Sequence, residues 1–117
     1  MMKAILIRPD GAVLTKDLSG FKALNHHFDG LVQIVYAPNL PEPFCLALDE
    51  EGKLKGLPVN GIGSRLYRSS VHGDYIVGDV FILKIEDGPD GEDIFGLSVE
   101  DIRHIAELCH LDIPADA

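Results

Sequence analysis

Basic side chains are scarce in this chain of 117 residues: 10 Lys+Arg stand against 19 Asp+Glu, a formal net charge of -9. Proteins neutralise nucleic-acid phosphates with Lys and Arg, so direct nucleic-acid binding is not expected. The imbalance is steepest near the C-terminus, where ten carboxylates and one basic residue, Arg103, follow from Glu86 onward, while residues 1–36 are close to neutral. Cysteine is sparse too. Cys45 and Cys109 lie 64 positions apart in apolar surroundings and outside any Cys-x-x-Cys pair, which excludes a disulfide scaffold and marks both as reduced core residues. No apolar run reaches the ~18 residues that cross a membrane, and no targeting signal, repeat or low-complexity stretch is visible. The expectation is a soluble chain with no membrane partner.

What the chain does contain is a core: 46% of residues are apolar and 25% charged, too hydrophobic for intrinsic disorder and enough for one domain over residues 1–117. Ala4-Ile5-Leu6-Ile7 is a short apolar run suited to a strand covered on both faces. Pro9-Asp10-Gly11 supplies turn chemistry, with Val13-Leu14 returning as a second strand. Ser19 is the expected N-cap of an amphipathic helix over 20–28, in which Phe21, Leu24 and Phe28 share a face, ending at Gly30. Leu31–Ala37 reads as a central strand and Phe44–Leu48 as a further strand of unassigned position, with an irregular Pro-rich loop between them. Asp49-Glu50-Glu51-Gly52 reads as a turn, Lys53-Leu54-Lys55 as a short return strand, and Leu57–Tyr75 as a broken helix or long loop. Asp79–Ile85 is the clearest late strand and Gly88-Pro89-Asp90-Gly91 a turn. Ser98 with Asp101 forms a capping box for a helix carrying Ile102, Ile105, Ala106 and Cys109, which should stop by Ile113-Pro114. The expected fold class is α+β, a mainly antiparallel or mixed sheet of about five strands with two helices.

Three stretches carry a resemblance. Lys3-Ala4-Ile5-Leu6-Ile7-Arg8-Pro9-Asp10-Gly11, the central Asp49-Glu50-Glu51-Gly52-Lys53-Leu54-Lys55-Gly56-Leu57-Pro58-Val59-Asn60, and Ile76-Val77-Gly78-Asp79-Val80 resemble a family of small proteins of uncharacterised function, common in phages, plasmids and related bacterial mobile elements. In that family the Asn is often followed at once by a basic residue, whereas here Gly61 follows Asn60 and the first basic residue is Arg65. The resemblance implies a mobile-element context, and with it the cytoplasm of a bacterial host, rather than a chemistry.

Residues 60–75 hold two of the three tyrosines and two arginines, with serines and His72. Arg clamps phosphate bidentately, Tyr stacks on a base, and Ser hydroxyls with glycine-exposed amides complete a cradle. Asn60, Arg65, Tyr67, Arg68 and His72 are therefore the expected ligand- or partner-binding residues. The alternative is a solvated loop in which the arginines pair with nearby carboxylates. His26-His27 sits at a helix end favourable to a cationic imidazole, and His104 and His110 lack metal-ligand spacing, so surface histidines are expected and no metal site. No serine elbow or Cys-His motif points to catalytic residues or a cofactor.

The expected function is thus that of a non-enzymatic accessory protein, binding a host protein or a small anionic, nucleotide-like ligand, with counter-defence as one role. The alternatives are a small enzyme, or an acidic DNA mimic that occupies a nucleic-acid enzyme through Glu86, Asp87, Asp90, Glu92, Asp93, Glu100 and Asp101. A homodimer through apolar surface left on Val80–Leu83 and Leu31–Tyr36 is a further expectation.

Overall fold

A strand with both faces covered needs an unbroken apolar run, because successive side chains enter opposite layers. The computed structural model, which describes residues 1–114, places three such runs side by side. Along the chain the elements are β1 (Met2–Ile7), β2 (Val13–Leu18), α1 (Phe21–Phe28), β3 (Val32–Val35), β4 (Phe44–Asp49), α2 (Gly61–Tyr67), α3 (Ser69–His72), β5 (Val80–Gly88), β6 (Gly91–Phe95) and α4 (Val99–Cys109). The sheet runs β2-β1-β5-β4-β3, with β6 also paired to β5, and every pairing is antiparallel. The fold is α+β, with six strands and four helices among the described residues.

In the three inner strands, odd and even positions feed two separate cores. Ile5, Ile7, Leu46, Leu48, Val80 and Ile82 pack with Leu66 of α2 and with Ile105 and Cys109 of α4. Ala4, Leu6, Cys45, Ala47, Phe81 and Leu83 pack on the other face with Leu24 and Phe28 of α1. Both cysteines are buried free thiols. Burial pushes the Cys45 thiol up to about 11, and it raises Cys109 against the opposing charge of Arg65. Neither is a thiolate at neutral pH.

α4 begins as expected. Ser98 Oγ accepts from Asp101 N at 3.0 Å and Asp101 Oδ2 accepts from Ser98 N at 2.9 Å. Burial disfavours the charged Asp101, but the hydrogen bonds from Ser98 and the Lys84 ammonium at 3.0 Å hold it below the usual carboxylate range. The helix stops at Cys109, where His110 adopts the left-handed conformation.

Several expectations need correction. Ser19 does not cap α1: Gly20 occupies that position without a side-chain cap bond. β2 continues past Leu14 to Leu18, in register with all of β1. β3 is an edge strand of four residues, not a central one, because its apolar side chains only partly enter the two layers and Gln33 is exposed. Lys53-Leu54-Lys55 forms consecutive turns instead of a strand, closed by Lys55 N to Glu51 O at 3.0 Å and Leu57 N to Gly52 O at 3.1 Å. β6 departs from the sequence pattern, since Gly-Glu-Asp reads as loop; the tight Gly88–Gly91 connection imposes its pairing on β5. Of the two forms expected for Leu57–Tyr75, a broken helix or a long loop, residues 61–72 take the first, the break set by the left-handed backbone of Arg68 at φ 59°. Val80–Leu83 is wholly buried and offers no surface to a second subunit.

Candidate functional site

The central stretch 49–60 contributes two internal pins. Asp49 is 4% exposed and accepts from Lys55 Nζ at 2.8 Å, while the same ammonium donates to Phe28 O at 2.7 Å and Asp29 O at 3.3 Å. Lys55 thereby ties the turns after β4 to the carbonyl end of α1, where a cation is electrostatically favoured. The hydrogen bond to Asp49 raises the Lys55 pKa above the ordinary 10.5, against the opposing effect of burial. A raised folded value means that the interaction is complete below 10.5 and is lost as pH climbs through the folded value. The melting temperature of the wild type should therefore exceed that of Lys55→Met at neutral pH and converge on it above pH 10.5. A gap that persists unchanged through alkaline pH would show that the ion pair is not its source.

Asn60 is the second pin and the N-cap of α2. Its Oδ1 accepts from Gly63 N at 2.9 Å, its Nδ2 donates to Ile7 O at 3.0 Å and Gly78 O at 2.9 Å, and its own N donates to Ile76 O at 2.8 Å. The side chain is fully buried. Asn60 thus positions α2 against the end of β1 and the 76–78 segment, and it is not available to a ligand. Small residues make this close approach possible. A Cβ on Gly63 would lie 3.1 Å from Ile76 Cγ2, and Ser64 Oγ accepts from Ile76 N at 3.0 Å.

The remaining expected residues divide between two faces. Arg65 donates from its guanidinium to Cys109 O at 3.1 Å and borders a 520 Å³ depression with the Pro38–Pro41 loop, Leu108 and His110. Tyr67 borders a separate 220 Å³ groove with Asp49, Lys53, Asp74 and Tyr75. Helical geometry makes the division unavoidable, since residues two apart on a helix point about 200° from each other. His72 returns to Tyr67: its Nδ1–H donates to Tyr67 O at 2.8 Å and the rings stack at 4.5 Å.

The arginines do not pair with carboxylates. Among the described residues, neither Arg65 nor Arg68 belongs to an ion pair, both are exposed, and no carboxylate lines the depression beside Arg65. Arg68 also holds a left-handed backbone that costs an L-residue about 1 kcal/mol and is ordinarily given to glycine.

The other charged features are mostly structural. His27 is not a surface residue: its Nε2 lies 3.0 Å from Asp79 Oδ2 and its ring meets Phe81 edge-on at 4.8 Å, linking α1 to the start of β5. His26, His104 and His110 are exposed. Among the described residues no group of His, Cys, Asp or Glu is arranged to hold a metal ion, and no helix is long and apolar enough to cross a membrane. Of the acidic run, Asp101 caps α4 and Glu100 pairs with Arg103. Glu86 stands opposite Asp93, and Asp87 opposite Glu92, in the β5–β6 hairpin.

No curated protein and no solved structure matches the chain. A family model does, over residues 2–110, and its extent takes in every element from β1 to the cap of α4. The chain accordingly belongs to the family described as a domain of unknown function, DUF3846.

Proposed function

We propose that this is a non-enzymatic accessory protein of a phage or mobile element, working in the cytoplasm of a bacterial host by binding an anionic group at Arg65 and Arg68. The group belongs to a small nucleotide-like ligand or to a host protein. The observation that carries the proposal is that two exposed arginines, three residues apart, have no carboxylate partner among the described residues of a chain with net charge -9. Elsewhere such a surface repels anions, and guanidinium groups are hard to deprotonate, so the local attraction persists at any physiological pH. Tyr and Arg are also enriched among the residues that dominate protein interfaces.

A nucleotide-like ligand should raise the melting temperature of the purified protein, by about 2.7 kcal/mol of stabilisation at a hundredfold excess over Kd. A host protein should instead appear in pull-downs. Replacing Arg65 and Arg68 together by Ala should abolish whichever interaction is found and leave the circular-dichroism spectrum unchanged. A double variant that binds as the wild type does would refute the assignment.

A second reading is favoured by one observation, the opposed acidic pairs of the β5–β6 hairpin. Like charges directly across a ladder destabilise it, and their retention suits a DNA-like track presented to a nucleic-acid enzyme. Inhibition of such an enzyme that survives loss of both arginines but not of Glu86 and Glu92 would select it.

A further inference from the structure

Of the six lysines in the chain, four meet carboxylates: Lys3, Lys53, Lys55 and Lys84. Lys16 and Lys22 have no carboxylate partner among the described residues, and their surroundings differ. Lys22 is exposed in the first turn of α1. Lys16 is partly buried on β2, opposite Ala4 on the sheet face that α1 covers, and its Nζ lies 3.4 Å from His27 Nδ1.

That contact is one end of a line of side chains drawn from separate parts of the fold. At the other end His27 Nε2 lies 3.0 Å from Oδ2 of Asp79, which immediately precedes β5. A carboxylate only accepts hydrogen bonds, so Asp79 holds the ring proton on Nε2 and leaves the Nδ1 lone pair toward Lys16. Phe28 and Phe81 meet the imidazole edge-on at 5.2 and 4.8 Å, so apolar packing fixes its plane independently of the lysine. The side chains of His27 and Asp79 remain 17% and 29% exposed, which leaves the line open to solvent. An amine, a ring nitrogen placed to take its proton, and a carboxylate that orients the ring are the parts of an activated nucleophile.

We infer that Lys16 is a site of covalent acylation by an activated acyl group, carried as an acyl phosphate or a thioester, with His27 as the general base. The neutral amine of Lys16 attacks the acyl carbon. The N–C bond forms as the bond from that carbon to phosphate oxygen or to sulfur breaks, and phosphate or thiolate departs. One proton of the attacking nitrogen passes to His27 Nδ1 and on to solvent, and Asp79 stabilises the imidazolium formed in passing. The product is a secondary amide, which keeps one N–H for His27 Nδ1 and removes one of the ten basic charges. Asp79 does not touch the acyl group and is a positioning residue. The modification is independent of the arginine site, because α2 packs on the opposite face of the sheet from α1.

Acetyl phosphate and acetyl-coenzyme A, incubated separately with the purified chain, test this when acetylation of each lysine is followed by peptide mass spectrometry. Lys22 is the internal reference. Access alone would make the exposed Lys22 the faster of the two, so the sign of the difference discriminates: Lys16 should react about tenfold or more faster. A response to one donor alone supports the inference and names the carrier. His27→Gln should bring Lys16 down to the rate of Lys22 or below it. Asp79→Asn, which no longer fixes the ring nitrogen that carries the proton, should slow Lys16 and leave Lys22 unchanged. Should either variant fail to fold, the wild type in urea sufficient to unfold it answers the same question, since the advantage of Lys16 should vanish there. Lys16 reacting no faster than Lys22 with both donors, or an advantage that persists undiminished in His27→Gln, in Asp79→Asn or in urea, would overturn the inference.

Discussion

Asn60→Ala is expected to lower the unfolding free energy by about 3–5 kcal/mol, a large share of the ~5–15 kcal/mol typical of a domain. The size follows from what the side chain leaves behind. Gly63 N, Ile7 O and Gly78 O all lose their partner at a site that is fully buried, and the vacated volume does not refill because Gly63 and Ser64 already pack against Ile76. Urea unfolding followed by circular dichroism measures it. Asn60→Asp separates the cap from the pin: it keeps the acceptor for Gly63 N but turns a carboxylate oxygen toward two carbonyls. Burial and those carbonyls raise the folded pKa of the new acid above its unfolded value, so the penalty should shrink as pH falls and the acid protonates. A midpoint within error of wild type for Asn60→Ala would show that α2 is held by its apolar contacts alone.

Phe81→Ala should cost a comparable amount, about 3–5 kcal/mol. Phe81 is 0% exposed near the start of β5, with its ring edge-on to Phe28 at 5.7 Å and to His27 at 4.8 Å. Its removal opens a cavity under α1, and rigid strands on both sides of β5 limit collapse into it. Loss should be felt first by α1, so its amides are expected to exchange by a local opening well before global unfolding. Phe81→Leu, which retains most of the volume, should recover most of the stability. A cost for Phe81→Ala below about 1 kcal/mol would mean that the α1 side of the sheet tolerates a void, contrary to the packing described.

The two predictions also mark how far the sequence can be read. Phe81 sits in Val80-Phe81-Ile82-Leu83, where an unbroken apolar run is sufficient to call for a doubly covered strand, and the structure buries all four. Asn60 was legible as special but not in its role. The residue type allows both a ligand contact and a helix cap, and only the approach of Ile7 and Gly78, distant along the chain, decides that its amide faces inward. The arginines show the converse. Their spacing was visible, yet whether they met carboxylates depended on which acidic segments the fold brings near.

From its sequence alone this chain is committed to the α+β class, to strands at 4–7, 44–48 and 79–85, the first of them covered on both faces, and to the capping box that starts α4. Each rests on local periodicity, or on residues within one turn of one another. Tertiary structure decided what local signals could not. It put β3 at an edge, drew β6 from a stretch whose residues disfavour strands, converted 53–55 from strand to turns around Lys55, and separated Arg65 from Tyr67. The reason is physical: edge or centre, pin or ligand contact, depends on partners tens of residues away, and strand pairing and burial overrule propensities worth only tenths of a kcal/mol up to about 1 kcal/mol per residue.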